Sequence, residues 1–253
     1  PVYGQSYEYD LTASSVTSAT YESDDSFLKA TAGGFGSGHG LQFKNTTNTM
    51  SLKVSSACDI IFTCCQYGSG ATVAVVDSDG NTIETGITQM KVYADKTTQT
   101  FSYTGSATTL NFTFTGECYI HKIAINPKID ATYDLTASSV TSATYESDDG
   151  HFKAVAGGFG SGHGLQFKNT TNIMSIDVPA KCDITFTCCQ YGNGATVAVV
   201  DSNGNTIETG ITQMKVAADK TTQTFSYTGT ATTLNFTFTG ECYIHSVNVK
   251  SVE

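Results

Sequence analysis

The sequence predicts an all-β protein built from two tandem antiparallel β-sandwich domains of jelly-roll type. Three observations carry this. Residues 9–25 return unchanged at 133–149, and the register then holds without a gap to the end of the chain, so one module is written twice. Its length is that of a whole domain, because solenoid units repeat every ~20–50 residues. Within each copy apolar residues alternate at period two, and Gly, Asn and Asp clusters punctuate short runs of β-branched and aromatic residues.

The elements follow in chain order. Met50-Ser-Leu-Lys-Val54 sets Met50, Leu52 and Val54 on one face, and Cys58, Ile60, Phe62 and Cys64 share the inward face of the next run. Asp77-Ser-Asp-Gly-Asn81 lies between two β-branched runs and predicts a hairpin turn. Thr100-Phe-Ser-Tyr103 alternates again. Leu110, Phe112 and Phe114 then face the core against outward Asn111, Thr113 and Thr115. In the last run Tyr119, His121, Ile123 and Ile125 fall on one face and Cys118 on the other. This gives about nine short strands per copy, with 88–96 the stretch of least clear period. The expected boundaries are a first module over 1–126, a linker over 127–132 made semi-rigid by Pro127, and a second module over 133–253.

The duplication is an internal control on strand parity. Leu52 becomes Ile176, Ile123 becomes Val247 and Ile125 becomes Val249, all apolar and inward, whereas Lys53 becomes Asp177 and Lys122 becomes Ser246, as outward positions permit.

Composition narrows the function. All 13 basic residues are lysine against 23 acidic ones, for a formal charge of −10. With no arginine to fork onto phosphate, nucleic acid is excluded as a partner. No apolar run approaches a membrane span. The start at Pro1, with no charged-then-apolar leader, is that of a mature chain or an excised piece. The even count of eight cysteines in a low-charge β composition favours an oxidising, extracellular or cell-surface setting. Parity pairs the outward Cys65 with Cys118, and Cys189 with Cys242, as the expected disulfides, leaving Cys58 and Cys64 as buried thiols. A four-cysteine zinc site is the rival, but Cys-x5-Cys-Cys lacks the usual knuckle spacing.

Two constellations are candidates for chemistry. Ala32-Gly-Gly-Phe-Gly-Ser-Gly-His-Gly-Leu41 lets the backbone approach a partner closely and leaves Phe35 and His39 as its large side chains. It lacks the helix and Lys-Ser/Thr pair of a phosphate loop, and a crossover between strands is its plain structural role. Glu22, Asp24 and Asp25, with Glu146, Asp148 and Asp149, are the oxygen set a calcium ion would use, and calcium is the one cofactor the sequence suggests. The plain alternative is a solvated acidic turn. Asp77-Ser-Asp-Gly-Asn81 is no EF-hand, since its glycine comes too early and position 12 is Thr88. His39 and His121 have no nucleophile placed by a motif, so no enzyme is expected. Two copies of one site favour binding with avidity, which raises effective concentration, over catalysis, where a second site only doubles the rate.

Gly40-Leu-Gln-Phe-Lys44, Met50-Ser-Leu-Lys-Val54, Cys58-Asp-Ile-Ile-Phe-Thr63, Ala71-Thr-Val-Ala-Val-Val-Asp-Ser-Asp-Gly80, Thr100-Phe-Ser-Tyr103 and Cys118-Tyr-Ile-His-Lys-Ile, in that order, resemble the non-catalytic β-sandwich modules of secreted bacterial pectate lyases and related polysaccharide-degrading enzymes. The resemblance spans each copy, and it implies carbohydrate binding or wall adhesion without assigning a ligand residue. The cysteines depart from that pattern.

Sugar recognition needs exposed aromatic faces beside planar polar groups. The candidates are Phe35, Tyr67 and Tyr93 with His39 and Gln66, and in the second copy Phe159, Tyr191, His163 and Gln190; Tyr103 is a further aromatic, with core packing as its equal alternative. Tyr93 becomes Ala217, so the second site is expected to be the weaker. The expected partner is a polysaccharide, plant cell wall or other, and more easily a neutral one. The second functional reading is a structural subunit of a surface fibre, filament or adhesin, self-associating or joined to further modules, supported by the duplication and the Thr-rich outward faces. Asn45-Thr-Thr47 and Asn111-Phe-Thr113 are also glycosylation sequons.

Overall fold

The computed structural model describes the chain except residues 1–4, 15, 65–69, 88–89, 91–96, 189–193, 212–213, 215–220 and 253. The described residues form strands, turns and loops, with no helix among them. The chain divides into two compact units, Ser6–Lys128 and Ile129–Glu253.

Among the described residues of the first unit eleven strands form: β1 (Tyr7–Asp10), β2 (Thr20–Glu22), β3 (Leu28–Thr31), β4 (Gly34–Gly36), β5 (Gly40–Phe43), β6 (Thr49–Val54), β7 (Cys58–Cys64), β8 (Gly70–Val76), β9 (Thr82–Ile83), β10 (Thr97–Tyr103) and β11 (Thr108–Pro127). All pairings are antiparallel. One layer runs β2-β3-β6-β11-β8-β9. The other runs β10-β7-β11-β5-β4, with β1 on the same edge of β11 as β5 but further along it. β11, 20 residues long, belongs to both layers. Its crossing falls at Gly116, whose φ of 98° and close approach to Gly70 O require glycine.

Strand parity explains the core. Met50, Leu52 and Val54, then Cys58, Ile60, Phe62 and Cys64, then Leu110, Phe112 and Phe114 are all buried, as alternation predicts. Phe43 stacks on Phe114 at 4.2 Å between centroids, and Phe62 meets Phe112 edge-on at 5.7 Å, so the two layers close on aromatic contacts. The Asp77 turn is a side-chain-built hairpin. Asp77 Oδ1 accepts from the Asp79 and Asn81 amides at 3.0 and 2.8 Å, Oδ2 accepts from Asn81 Nδ2, and Gly80 takes φ 84°. In the second copy Asn203 donates its amide to Asp201 Oδ1 at 2.9 Å, so the Asp79-to-Asn203 exchange leaves this turn intact.

One expectation of parity is corrected. Ile120 pairs with Cys64 but Lys122 pairs with Thr63, so His121 is an extra residue, a β-bulge in the middle of β11's second half. The bulge inverts the inside-outside order. Cys118 and Ile120 are inward before it, Ile123 and Ile125 after it, and Tyr119 turns to the outer face. The expected Cys65–Cys118 and Cys189–Cys242 bridges are therefore corrected as well. Cys118 and Cys242 are free thiols sealed in the core, while Cys65 and Cys189 lie outside the described residues. Burial, then the neighbouring Cys64 and Glu117, drives the Cys118 thiol well above its ordinary range.

The second unit repeats this pattern from β12 (Asp130–Asp134) to β22 (Thr232–Ser251), with the same bulge at His245. Between the units, β11 stays paired through Pro127, opposite Cys58, and β12 opens at Asp130. The two hydrophobic cores are separate, each drawn from one copy.

Candidate functional site

β1 and β5 meet end to end on one edge of β11, and the bulge lies at their junction. The Leu11 amide donates to His121 O at 2.8 Å where β1 ends. On the other side Gly40 takes φ 83°, and a Cβ there would stand 2.0 Å from Ile120 O. The chain thus wraps the bulge with no room to spare, and His121 is held 4% exposed between two surface features.

The first feature is the hairpin of β4 and β5. Its outward row reads Gly34, Gln42, Tyr119 across three strands. The glycines are bare because their neighbours lie over them: a Cβ on Gly34 would come within 2.7 Å of Gln42 Oε1, and one on Gly36 within 3.2 Å of His39 Cβ. Gln42 Nε2 donates to Glu117 Oε1, fixing amide and carboxylate beside the Tyr119 ring. His39 sits edge-on to Tyr119 at 6.1 Å and to His121 at 6.4 Å. Phe35 pairs with the buried Leu41 but lies on the edge strand, so it overhangs the sandwich and is 47% exposed. The second unit reproduces this with Phe159, also 47% exposed, His163 against Tyr243 at 6.1 Å, and the Gln166–Glu241 pair.

The second feature is a cleft of about 560 Å³ beside the end of β1, lined among others by Glu8, Tyr9, Asp10, Tyr21, Asp24 and Asp25. Its volume is that of a small-molecule site. The Tyr9 hydroxyl donates to Asp25 Oδ2 at 2.9 Å, while Asp25 Oδ1 accepts from Ser23 Oγ and from the Phe27 amide. Burial pushes the Asp25 carboxyl up, but the hydrogen bonds from Ser23, Phe27 and Tyr9 together outweigh it and hold the group below the usual carboxylate range. Asp10 is lowered chiefly by the Thr12 hydroxyl and amide, with smaller contributions from Lys122 and His121. Tyr21 is raised by burial and then by Asp24, Asp25 and Asp10, so its hydroxyl stays a donor at any ordinary pH. Asp10 and His39 both neighbour His121, which makes the bulge the link between cleft and hairpin.

Of the six carboxylates expected to hold calcium, Glu22, Asp25, Glu146 and Asp149 are engaged by protein partners. Glu22 pairs with Lys29 at 3.0 Å, and Glu146 with Lys153 at 3.0 Å. Asp25 and Asp149 spend their oxygens on Tyr, Ser and backbone donors. Among the described residues no three His, Cys, Asp or Glu side chains stand as a metal site requires.

Of the other expected residues, Phe35, His39, Phe159 and His163 fall on the hairpin surface. Gln66, Tyr67, Tyr93, Gln190 and Tyr191 lie outside the described residues. Tyr103 is core, 6% exposed, with its hydroxyl donating to Ser106 O. Tyr119, Gln42, Glu117, Asp10 and Tyr21 were not legible as site residues. The signal for Tyr119 was there, because Cys118, Ile120, Ile123 and Ile125 are spaced two, three, two, and the interval of three marks the bulge.

No protein-family model matches the chain. No curated protein matches it either. Among solved structures, the tandem CBM22 domains of Xyn10C from Paenibacillus barcinonensis align over 100% of both chains at 11% identity, with a TM-score of 0.32. The tandem CBM51 modules of a family 98 glycoside hydrolase from Streptococcus pneumoniae align over 92% of this chain and 88% of theirs, at 9% identity and a TM-score of 0.29. Allantoicase from Saccharomyces cerevisiae aligns equally well, at 8% identity over 97% and 93%, again with a TM-score of 0.29. Likenesses at this level include binding modules and an enzyme alike and do not choose between them.

Proposed function

We propose that the chain is a pair of non-catalytic carbohydrate-binding modules acting outside the cell, each copy carrying one site. The observation that carries this is the outward Tyr119 ring flanked by His39 and by the Gln42–Glu117 pair, repeated as Tyr243, His163 and Gln166–Glu241. A sugar offers an apolar C–H face and a rim of hydroxyls. An aromatic ring beside a fixed amide and carboxylate complements both, and the carboxylates of the neighbouring cleft accept hydroxyl protons.

Those carboxylates also favour a neutral glycan over a uronate, which would meet like charge on a protein of net −10. Duplication then supplies avidity on a polymer with many copies of the same unit. The test is affinity electrophoresis in gels containing xylan, mannan, galactan, β-glucan or polygalacturonate. Retardation is expected in at least one neutral gel and its loss in the Tyr119→Ala/Tyr243→Ala variant. Retardation that the variant retains, or mobility unchanged in every gel, would contradict the assignment.

A further inference from the structure

The two copies share every hairpin residue yet differ in a coupled set on the outer face where β1 lies against β11. In the first copy Glu8, which lines the cleft, stands opposite Ala124 and receives a hydrogen bond from Lys122 Nζ at 3.1 Å. In the second copy all three positions change: Glu8 becomes Thr132, Ala124 becomes Asn248 and Lys122 becomes Ser246. Asn248 Nδ2 now donates to Thr132 Oγ1 at 2.9 Å and to Asp130 Oδ1 at 3.1 Å, and Ser246 stands opposite Asp134 where Lys122 stood opposite Asp10. Glu8 and Lys122 are thus replaced by neutral residues, while an ion pair reappears one register step away, where Asp130 and Lys250 stand in place of Ser6 and Asn126. Each set pairs its own polar groups, Glu8 with Lys122 and Asn248 with Thr132, Asp130 and Ala131 O.

We infer that this triplet makes the two copies unequal receptors, with Glu8 on the rim of the first cleft and Thr132 at the equivalent strand position of the second copy as the specificity-determining residues. The inference rests on the proposed glycan reading. Glu8 is an acceptor only and brings a charge whose hydration must be given up when a sugar covers it. Thr132 is neutral and both donates and accepts, so it meets a hydroxyl in either sense at lower desolvation cost. The triplet therefore favours the second copy for a neutral sugar by about three-fold, the scale of one exposed charged group, and so opposes the ranking expected from Tyr93 and Ala217, which lie outside the described residues.

The test uses the full chain and a short neutral oligosaccharide drawn from whichever polymer retards it, too short to bridge two sites. Calorimetric titration of the wild type is expected to show two classes of site differing about three-fold. Glu8→Thr/Lys122→Ser/Ala124→Asn should merge them at the tighter constant, and Thr132→Glu/Ser246→Lys/Asn248→Ala at the weaker. All six positions are on the surface, so both variants keep the cores intact. A single class with two sites in the wild type, or two classes that persist in both variants, would overturn the inference while leaving glycan binding in place. Absence of heat with every oligosaccharide would instead remove the reading beneath it.

Discussion

At Gly40 the backbone takes φ 83° while a Cβ would overlap the carbonyl oxygen of Ile120, whereas Gly38, at φ 76°, has nothing within 4 Å of its Cβ position. The two glycines separate conformational cost from steric cost. Gly38→Ala should lose about 1 kcal/mol, and Gly40→Ala about 3 kcal/mol or more, because the clash is with backbone that cannot move aside. Urea unfolding of both variants measures the difference, and equal losses would mean that the bulge is not wrapped as described. The cysteines make a second residue-scale prediction. Burial, and then Asp59, pushes the Cys58 thiol up to about 12 despite the nearby Lys128, and Cys118 is raised further still. Cys58, Cys118, Cys182 and Cys242 should therefore resist iodoacetamide at pH 8 in the folded protein and be alkylated in denaturant, which peptide mass mapping reads directly.

At the scale of elements, the hydrogen bond from Tyr9 to Asp25 ties β1 to the turn between β2 and β3 and shapes one wall of the cleft. Asp25 is depressed in the folded state, so it binds fewer protons folded than unfolded. Its contribution is fully present above the ordinary carboxylate value of ~4 and is lost as pH falls through the lower folded value. Tyr9→Phe should cost about 1 kcal/mol at pH 7 and less than that near pH 3, seen as converging unfolding midpoints of variant and wild type. Most elements were legible in the sequence because alternation alone determines which side of a strand meets the core. Leu110, Phe112 and Phe114 needed nothing more. The bulge at His121 left only one trace, the interval of three between Ile120 and Ile123, because parity otherwise propagates through a run. One insertion moved Cys118 inward and Tyr119 outward, and with them both the cysteine pairing and the centre of the candidate site. Gln42 and Glu117 were equally hidden, since their pairing across 75 positions depends on β5 lying against β11.

For the whole molecule, each copy closes its own hydrophobic core, so each carries its own copy of the proposed site. That is the arrangement in which weak sites gain from being linked, and it makes stoichiometry the decisive quantity. The central claim is that the outward tyrosine of each copy is the plate on which a neutral sugar rests. Isothermal calorimetry of the full chain with a short neutral oligosaccharide tests it most directly, in the wild type, in Tyr119→Ala and in Tyr243→Ala. The predicted result is two bound molecules for the wild type and one for each single variant, with far-UV circular dichroism unchanged. Two bound molecules in all three proteins, or none in the wild type, would contradict it.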